Sequence, residues 1–166
     1  GSKHGVYEDH DWIAPLESFI RDVKASGKPM IGVCFGHQII AQALGGRVEK
    51  FDHGWIAGPQ RYRFGDDEVV LNAWHQDQVV EKPETAQVIG TNDFCSNAAL
   101  LYDDRMFTVQ PPPEFRPAFV DGLMKTRGKG LVPDALLEAA TERLQDPLDD
   151  TSMAGQIAAF FKQPRG

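Results

Sequence analysis

The stretch that most restricts what this chain can become is Pro29-Met30-Ile31-Gly32-Val33-Cys34-Phe35-Gly36, followed at once by Gln38-Ile39-Ile40-Ala41-Gln42-Ala43-Leu44 and the pair Gly45-Gly46. The short apolar run predicts a buried parallel strand, the apolar stretch after it a helix, and the glycine pair that helix's stop. A strand that turns into a helix without a spacer is a βα unit, and it commits the chain to an α/β layered architecture. The turn itself reads Gly32-Val33-Cys34-Phe35-Gly36, which is the nucleophile-elbow pattern with cysteine in place of serine.

Other elements follow from periodicity. Trp12, Ile13, Leu16, Phe19, Ile20 and Val23 fall at helical spacing, with Asp9 and Asp11 placed to cap the start and Gly27 to end it. After Gly46 the chain shifts to short β-like stretches at residues 48–51, 60–64, 68–71, 86–91, 98–102 and 106–110, with Asp103-Asp104 as a hairpin turn. Helices return near residues 117–125, 133–144 and 152–161. The expected fold is α/β, with an antiparallel β extension and C-terminal helices, in one domain over residues 1–166.

Composition narrows the function classes. A chain of 166 residues with 17 Lys+Arg against 24 Asp+Glu carries a net charge of -7, so nucleic acid and anionic membrane, which need a basic footprint, are not expected as main partners. Cys34 and Cys95 cannot build a disulfide framework, no apolar run approaches the roughly 20 residues of a membrane helix, and no signal peptide opens the chain. A cytoplasmic setting is the expectation. No P-loop, G-x-G-x-x-G or metal-ligand spacing stands out, so neither a metal nor a cofactor is expected.

The elbow has a chemical rationale. Its glycines allow the backbone to pack closely around a strained turn, placement at a helix N-terminus favours thiolate over thiol, and the N–H of Phe35 points where an oxyanion develops. The bland alternative is an inert cysteine in a strand-to-helix turn. Cys95, in Phe94-Cys95-Ser96-Asn97, lacks elbow glycines and a preceding strand and is read as structural. The aromatic residues Phe51, Trp55, Tyr62, Phe64 and Trp74 are read as packing of the β extension, and Arg61 and Arg63 as solvent-facing.

Several segments, in order, resemble the class I glutamine amidotransferases, and in particular stand-alone members similar to the glutaminase domain of GMP synthase. They are Gly1-Ser2-Lys3-His4-Gly5 with Tyr7-Glu8-Asp9, Gly32 to Gln38, Ala41 to Gly46, Asn72 to Val79, and Val109 to Phe115. The resemblance covers residues 1 to about 120 and implies a flavodoxin-like three-layer sandwich. It implies Cys34 as the nucleophile that attacks the side-chain amide of glutamine, releases ammonia and leaves a glutamyl thioester for water. It also implies an oxyanion hole from the N–H of Phe35 and a backbone N–H of the Gly1-Ser2 loop, and a substrate contact from Gln38. The segment His75-Gln76-Asp77 corresponds to a pocket-lining loop; without the resemblance, residues 72–79 read only as a polar loop with a tryptophan anchor.

Two departures matter. The family base lies in a Q-x-H-P-E segment, whereas this chain reads Gln110-Pro111-Pro112-Pro113-Glu114, so Pro112 stands at the histidine position and Glu114 has no imidazole to orient. Of His4, His10, His37, His53 and His75, the last is the better substitute, although the resemblance gives it a structural role in the pocket. General acid–base assistance contributes typically about 10²–10⁴-fold, so glutamine turnover is expected to be very low or absent. Family domains also begin with βα units before the Gly-Ser loop, so the chain is expected to lack its first strands. Three readings remain: an impaired glutamine-hydrolysing enzyme with a separate ammonia-accepting synthetase, a non-catalytic binding or regulatory module, and a hydrolase of another γ-glutamyl amide.

Overall fold

β1, Met30–Val33, runs parallel to β8, Met106–Val109, with Ile31 opposite Phe107 and Val33 opposite Val109. The computed structural model describes residues 1–165. In it, β8 continues the sheet through antiparallel β7, Ala99–Tyr102, to β6, Ala86–Gly90, giving the order β1-β8-β7-β6. The β7–β8 turn is the expected Asp pair, and Asp103 takes φ +54 there. This is a mixed α/β arrangement in which only the β1–β8 pair of the sheet is parallel. β1 is half-buried rather than fully buried, because among the described residues it has a strand neighbour on one side only.

Residues 1–51 and 77–110 make one compact unit; residues 52–76 and the chain from Pro111 onward make a second. In the first, α1 (Ile13–Ala25) and α2 (Phe35–Ala43) pack on each other and share an apolar cluster with the sheet. Ile13 and Ile20 of α1 meet Ile39, Ile40 and Ala43 of α2, with Leu100, Tyr102 and Met106 from the strands. Gly27 ends the α1 region at φ +67, as expected. Asp9 and Asp11 do not cap its start: Trp12 is the N-cap residue, without a side-chain cap hydrogen bond. Backbone turns replace the cap, with the N–H of Ile13 donating to His10 O at 3.0 Å. β2 (Arg47–Lys50) and β5 (Asp77–Glu81) form a separate antiparallel pair.

The second unit is built on a long hairpin of β3 (Ile56–Phe64) and β4 (Asp67–His75), turning at Gly65-Asp66 with Gly65 at φ +59. β4 and β5 overturn the polar-loop expectation for residues 72–79. Asn72, Ala73, His75, Gln78 and Val79 are buried, and tertiary burial rather than local polarity decides their state. Arg61 and Arg63 are exposed around a buried Tyr62, as their alternation predicts. Helices α3 (Pro117–Leu123), α4 (Asp134–Glu142) and α5 (Asp150–Lys162) follow, with a π-helical turn at Met124–Gly128. Val120, Met124, Ala140 and Leu144 cluster with Ala57, and Trp74 packs against them. Gly58, at φ +75, allows β3 to approach α4: a β-carbon there would lie 2.8 Å from that of Ala140. Asp149 clamps β4 by accepting the Val70 N–H at 2.8 Å through Oδ2 and donating its own N–H to Val70 O at 2.9 Å. Among the described residues, no helix is long and apolar enough to cross a membrane.

Leu100, with no exposed surface, sits at the centre of the first unit's sheet. Leu100→Ala is expected to cost about 2–5 kcal/mol of unfolding free energy, read by chemical denaturation; a loss below about 1 kcal/mol would mean that this cluster does not hold the sheet and α2 together.

Candidate active site

Cys34 joins β1 to α2 with φ +54 and ψ −108. For a side chain with a β-carbon this sparsely populated conformation costs of order 1–3 kcal/mol and persists only where neighbours impose it. They do: the N–H of Cys34 donates to Val109 O at 2.9 Å, and its carbonyl accepts the N–H of Gln38 at 3.1 Å. One residue thus ends the parallel ladder and starts the helix. The elbow glycines are unequal. A β-carbon on Gly32 would stand 2.6 Å from the carbonyl oxygen of Gly36 and 2.7 Å from Cδ1 of Ile40, whereas one on Gly36 would meet nothing within 4 Å. Close packing therefore explains Gly32 and not Gly36.

The thiol is half-buried at the α2 N-terminus. Gln110 Nε2 donates to its Sγ at 3.8 Å, while Gln110 Oε1 accepts from Gln38 Nε2 at 3.1 Å. Gln38 Nε2 also donates to Asp77 O at 3.0 Å. Both amide protons of Gln38 are thus engaged within the protein, leaving its Oε1 for other contacts. Gln110 and Gln38 are buried, so this amide relay is shielded from water, where hydrogen bonds are electrostatically stronger. Phe35, the first residue of α2, carries one of the N–H groups that a helix leaves without an internal acceptor. A β-carbon on Gly1 would lie 3.9 Å from Cys34 Sγ, which puts the Gly1-Ser2 segment beside the thiol.

The N-terminal segment is tied down on two sides. Val6 O accepts from Gln42 Nε2 at 2.7 Å, and the Tyr7 hydroxyl donates to Asp77 Oδ1 at 3.0 Å. Partial burial, followed by the charge of Asp77, pushes the Tyr7 hydroxyl up to about 12; burial also raises the Asp77 carboxyl. His4, Glu8 and His10 meet in this segment, and the Gly5 N–H, ahead of the two imidazoles, holds the Glu8 carboxyl down at about 2. Residue spacing carried a signal for this cluster, His-x3-Glu-x-His, which is short enough to be overlooked as a polar loop. Gln110 was likewise legible only as part of a motif; its full burial and its hydrogen bond to sulfur needed the fold.

The remaining expected residues belong to the second unit. His75 ends β4, buried opposite Ile56, and Gln76 is the single residue between β4 and β5. Pro112 is buried, its carbonyl accepting the Phe115 N–H at 3.1 Å, and Glu114 is exposed in the same turn. The other histidines have different surroundings: His37 is fully buried with Nδ1 2.8 Å from Thr108 Oγ1, and His53 pairs with Asp52. Cys95 is buried, and desolvation pushes its thiol up to about 12, in keeping with a structural role.

The chain matches the family model described as "Glutamine amidotransferase class-I" over residues 5–123. It is 30% identical to a glutamine amidotransferase-like protein of Schizosaccharomyces pombe, over 97% of this chain and 69% of that protein. It is 28% identical to gamma-glutamyl peptidase 2 of Arabidopsis thaliana, over 99% of this chain and 72% of the peptidase. A GMP synthase of Azoarcus is 34% identical over 64% of this chain, which corresponds to 23% of that enzyme. Among solved structures, a glutamine amidotransferase from Methylobacillus flagellatus superposes with a TM-score of 0.80 at 26% identity, covering all of this chain and 76% of its own.

Two measurements check the geometry. Gly32→Ala is expected to lose about 1–3 kcal/mol through overpacking, while Gly36→Ala is expected to be neutral or to gain up to about 1 kcal/mol from helix propensity; equal thermal shifts would contradict the asymmetry. At pH 8, iodoacetamide is expected to alkylate Cys34 in the folded protein and to reach Cys95 only after unfolding, as peptide mapping would read.

Proposed function

The chain belongs to the class I glutamine amidotransferase family, and from that premise we propose that Cys34 is the nucleophile toward the side-chain amide of a γ-glutamyl compound, either glutamine or a γ-glutamyl peptide. The observation that carries this reading is the strained Cys34 backbone at the α2 N-terminus, with Gln110 Nε2 on Sγ and the Gly1-Ser2 segment beside it. Attack of Sγ on the carbonyl carbon forms a C–S bond and moves an electron pair onto the oxygen. The N–H of Phe35 and a backbone N–H of the Gly1-Ser2 loop receive that charge. Collapse of the adduct expels ammonia or an amine, which needs a proton, and leaves a thioester; water then adds, needs a base, and frees glutamate and the thiol. Gln38 acts through its Oε1 and through Gln110, as a positioning residue with at most one direct substrate contact.

The proton steps are the weak link. Pro112 occupies the place where the family carries its histidine and has no group that titrates; Glu114 of the same segment is exposed. For His75 and Gln76 the family resemblance alone suggests a pocket-lining role. An enzyme so equipped forms covalent adducts with reactive γ-glutamyl electrophiles but turns over slowly, because acid–base help is worth about 10²–10⁴-fold. Pro112 also favours a second reading, a binding or regulatory module that holds a γ-glutamyl ligand without hydrolysing it. Where ammonia is released, a separate synthetase is the proposed acceptor, by analogy with the GMP synthases to which this chain is similar.

Pro112→His is expected to raise ammonia release from glutamine, or amine release from a γ-glutamyl peptide, by about 10²-fold or more over the parent. Cys34→Ser should abolish the glutamyl adduct detected by intact-protein mass spectrometry. If Pro112→His gains nothing and Cys34 carries no adduct with either substrate class, the assignment of this site to γ-glutamyl amide chemistry is wrong.

A further inference from the structure

Between Ser2 and Trp12 three side chains that ligate metals converge. His4 Nδ1 lies 3.0 Å from Glu8 Oε2, His10 Nε2 lies 2.8 Å from the same oxygen, and the two ring nitrogens are 2.9 Å apart. We propose that His4, Glu8 and His10 form a binding site for one divalent first-row transition-metal ion, with Co²⁺ as the representative cation and Zn²⁺ as a second probe.

The spacing supports this. Metal–ligand bonds of about 2.0–2.1 Å separate neighbouring donor atoms by about 2.9 Å around an octahedral ion and about 3.4 Å around a tetrahedral one; the three sides of this triangle, 2.8, 2.9 and 3.0 Å, match the octahedral spacing. Two imidazoles and one carboxylate on one face of a coordination sphere is a facial triad, a donor set suited to transition metals rather than to Mg²⁺ or Ca²⁺. The carboxylate has the outer-shell hydrogen bond expected of a ligating group, and one ring is packed in place. The Gly5 N–H donates to Glu8 Oε1 at 2.8 Å, which fixes the carboxylate with Oε2 toward the rings. The Trp12 indole stacks on His10 with centroids 5.8 Å apart and planes at 11°. The two imidazoles are half-buried and the Glu8 carboxylate is exposed, so water can complete the coordination. A mere surface ion pair accounts for one histidine on one carboxylate; it does not account for two ring nitrogens held within hydrogen-bond distance of each other on one oxygen.

The site lies in the segment that carries Gly1 and Ser2, and the His4 N–H donates to Ser2 Oγ at 3.0 Å. A bound cation would therefore cross-link residues 4–10 and stiffen the segment beside Cys34. The assignment itself does not depend on the γ-glutamyl reading, because it concerns different residues and is read by binding.

The test uses the whole chain, stripped with a chelator and titrated with ZnCl₂ by calorimetry and with Co²⁺ by absorption. One equivalent per chain with micromolar or tighter affinity is expected, together with a rise in melting temperature on saturation. Glu8→Gln, which keeps an acceptor for the Gly5 N–H, and His10→Ala should each weaken binding at least tenfold and abolish the melting shift. His53→Ala, an exposed histidine elsewhere, should bind as the parent does. Far-UV circular dichroism establishes that each variant is folded. No one-equivalent binding at 100 μM Zn²⁺ or Co²⁺, or binding within threefold of the parent in both folded ligand variants, overturns the site.

Discussion

Where β1 meets α2, a β-carbon on Gly32 would sit 2.6 Å from the Gly36 carbonyl oxygen, inside any real contact distance. That approach lets a strand end and a helix begin on consecutive residues, and it forces the residue between them into φ +54. The strain is held from both sides, by the Val109 carbonyl of the neighbouring strand and by the first turn of α2. Ile39, Ile40 and Ala43 then pack the helix onto α1 and the sheet, so the same contact that exposes the thiol also organises the first unit's core. Losing the approach would alter the core and the thiol together.

The thiol is held by a second, polar layer. Gln38 and Gln110 come from the helix and from the residue just after β8, and they link Asp77 O to Cys34 Sγ through buried amides. A neutral amide can orient a sulfur but cannot carry a proton through a reaction cycle. The N-terminal segment is pinned by Gln42, by the Tyr7–Asp77 hydrogen bond and by the His4–Glu8–His10 triangle, and it reaches the thiol at Gly1. Two of these contacts tie the segment to other elements, and the third braces it internally.

Much was legible in order along the chain. The elbow, α1 and α2, the Asp103-Asp104 turn, the parts of β3 and β4 nearest their turn and the C-terminal helices follow from apolar periodicity and turn residues, because those signals act within a few residues. Residues 72–79 misled: Asn72, His75 and Gln78 are polar, yet β4 and β5 bury them, and Asn72 finds its partner 43 residues away in Phe115 O. Asp9 and Asp11 were placed to cap α1, but the turn through His10 already orders that end. Such outcomes hinge on distant partners that no local window contains.

The sequence by itself determined the α/β class, the family, the cysteine at the elbow and the run of prolines at residues 111–113, since each is a matter of residue identity at a fixed short spacing. Tertiary structure decided which identities meet. It set Gln110 on the sulfur, distinguished Gly32 from Gly36 by what a β-carbon would strike, and closed two histidines and a glutamate into a triangle less than 3.1 Å on a side. The reason is range: backbone preference and periodicity act over one or two turns, whereas the directions of side chains from separate elements are fixed only once the backbone between them has folded.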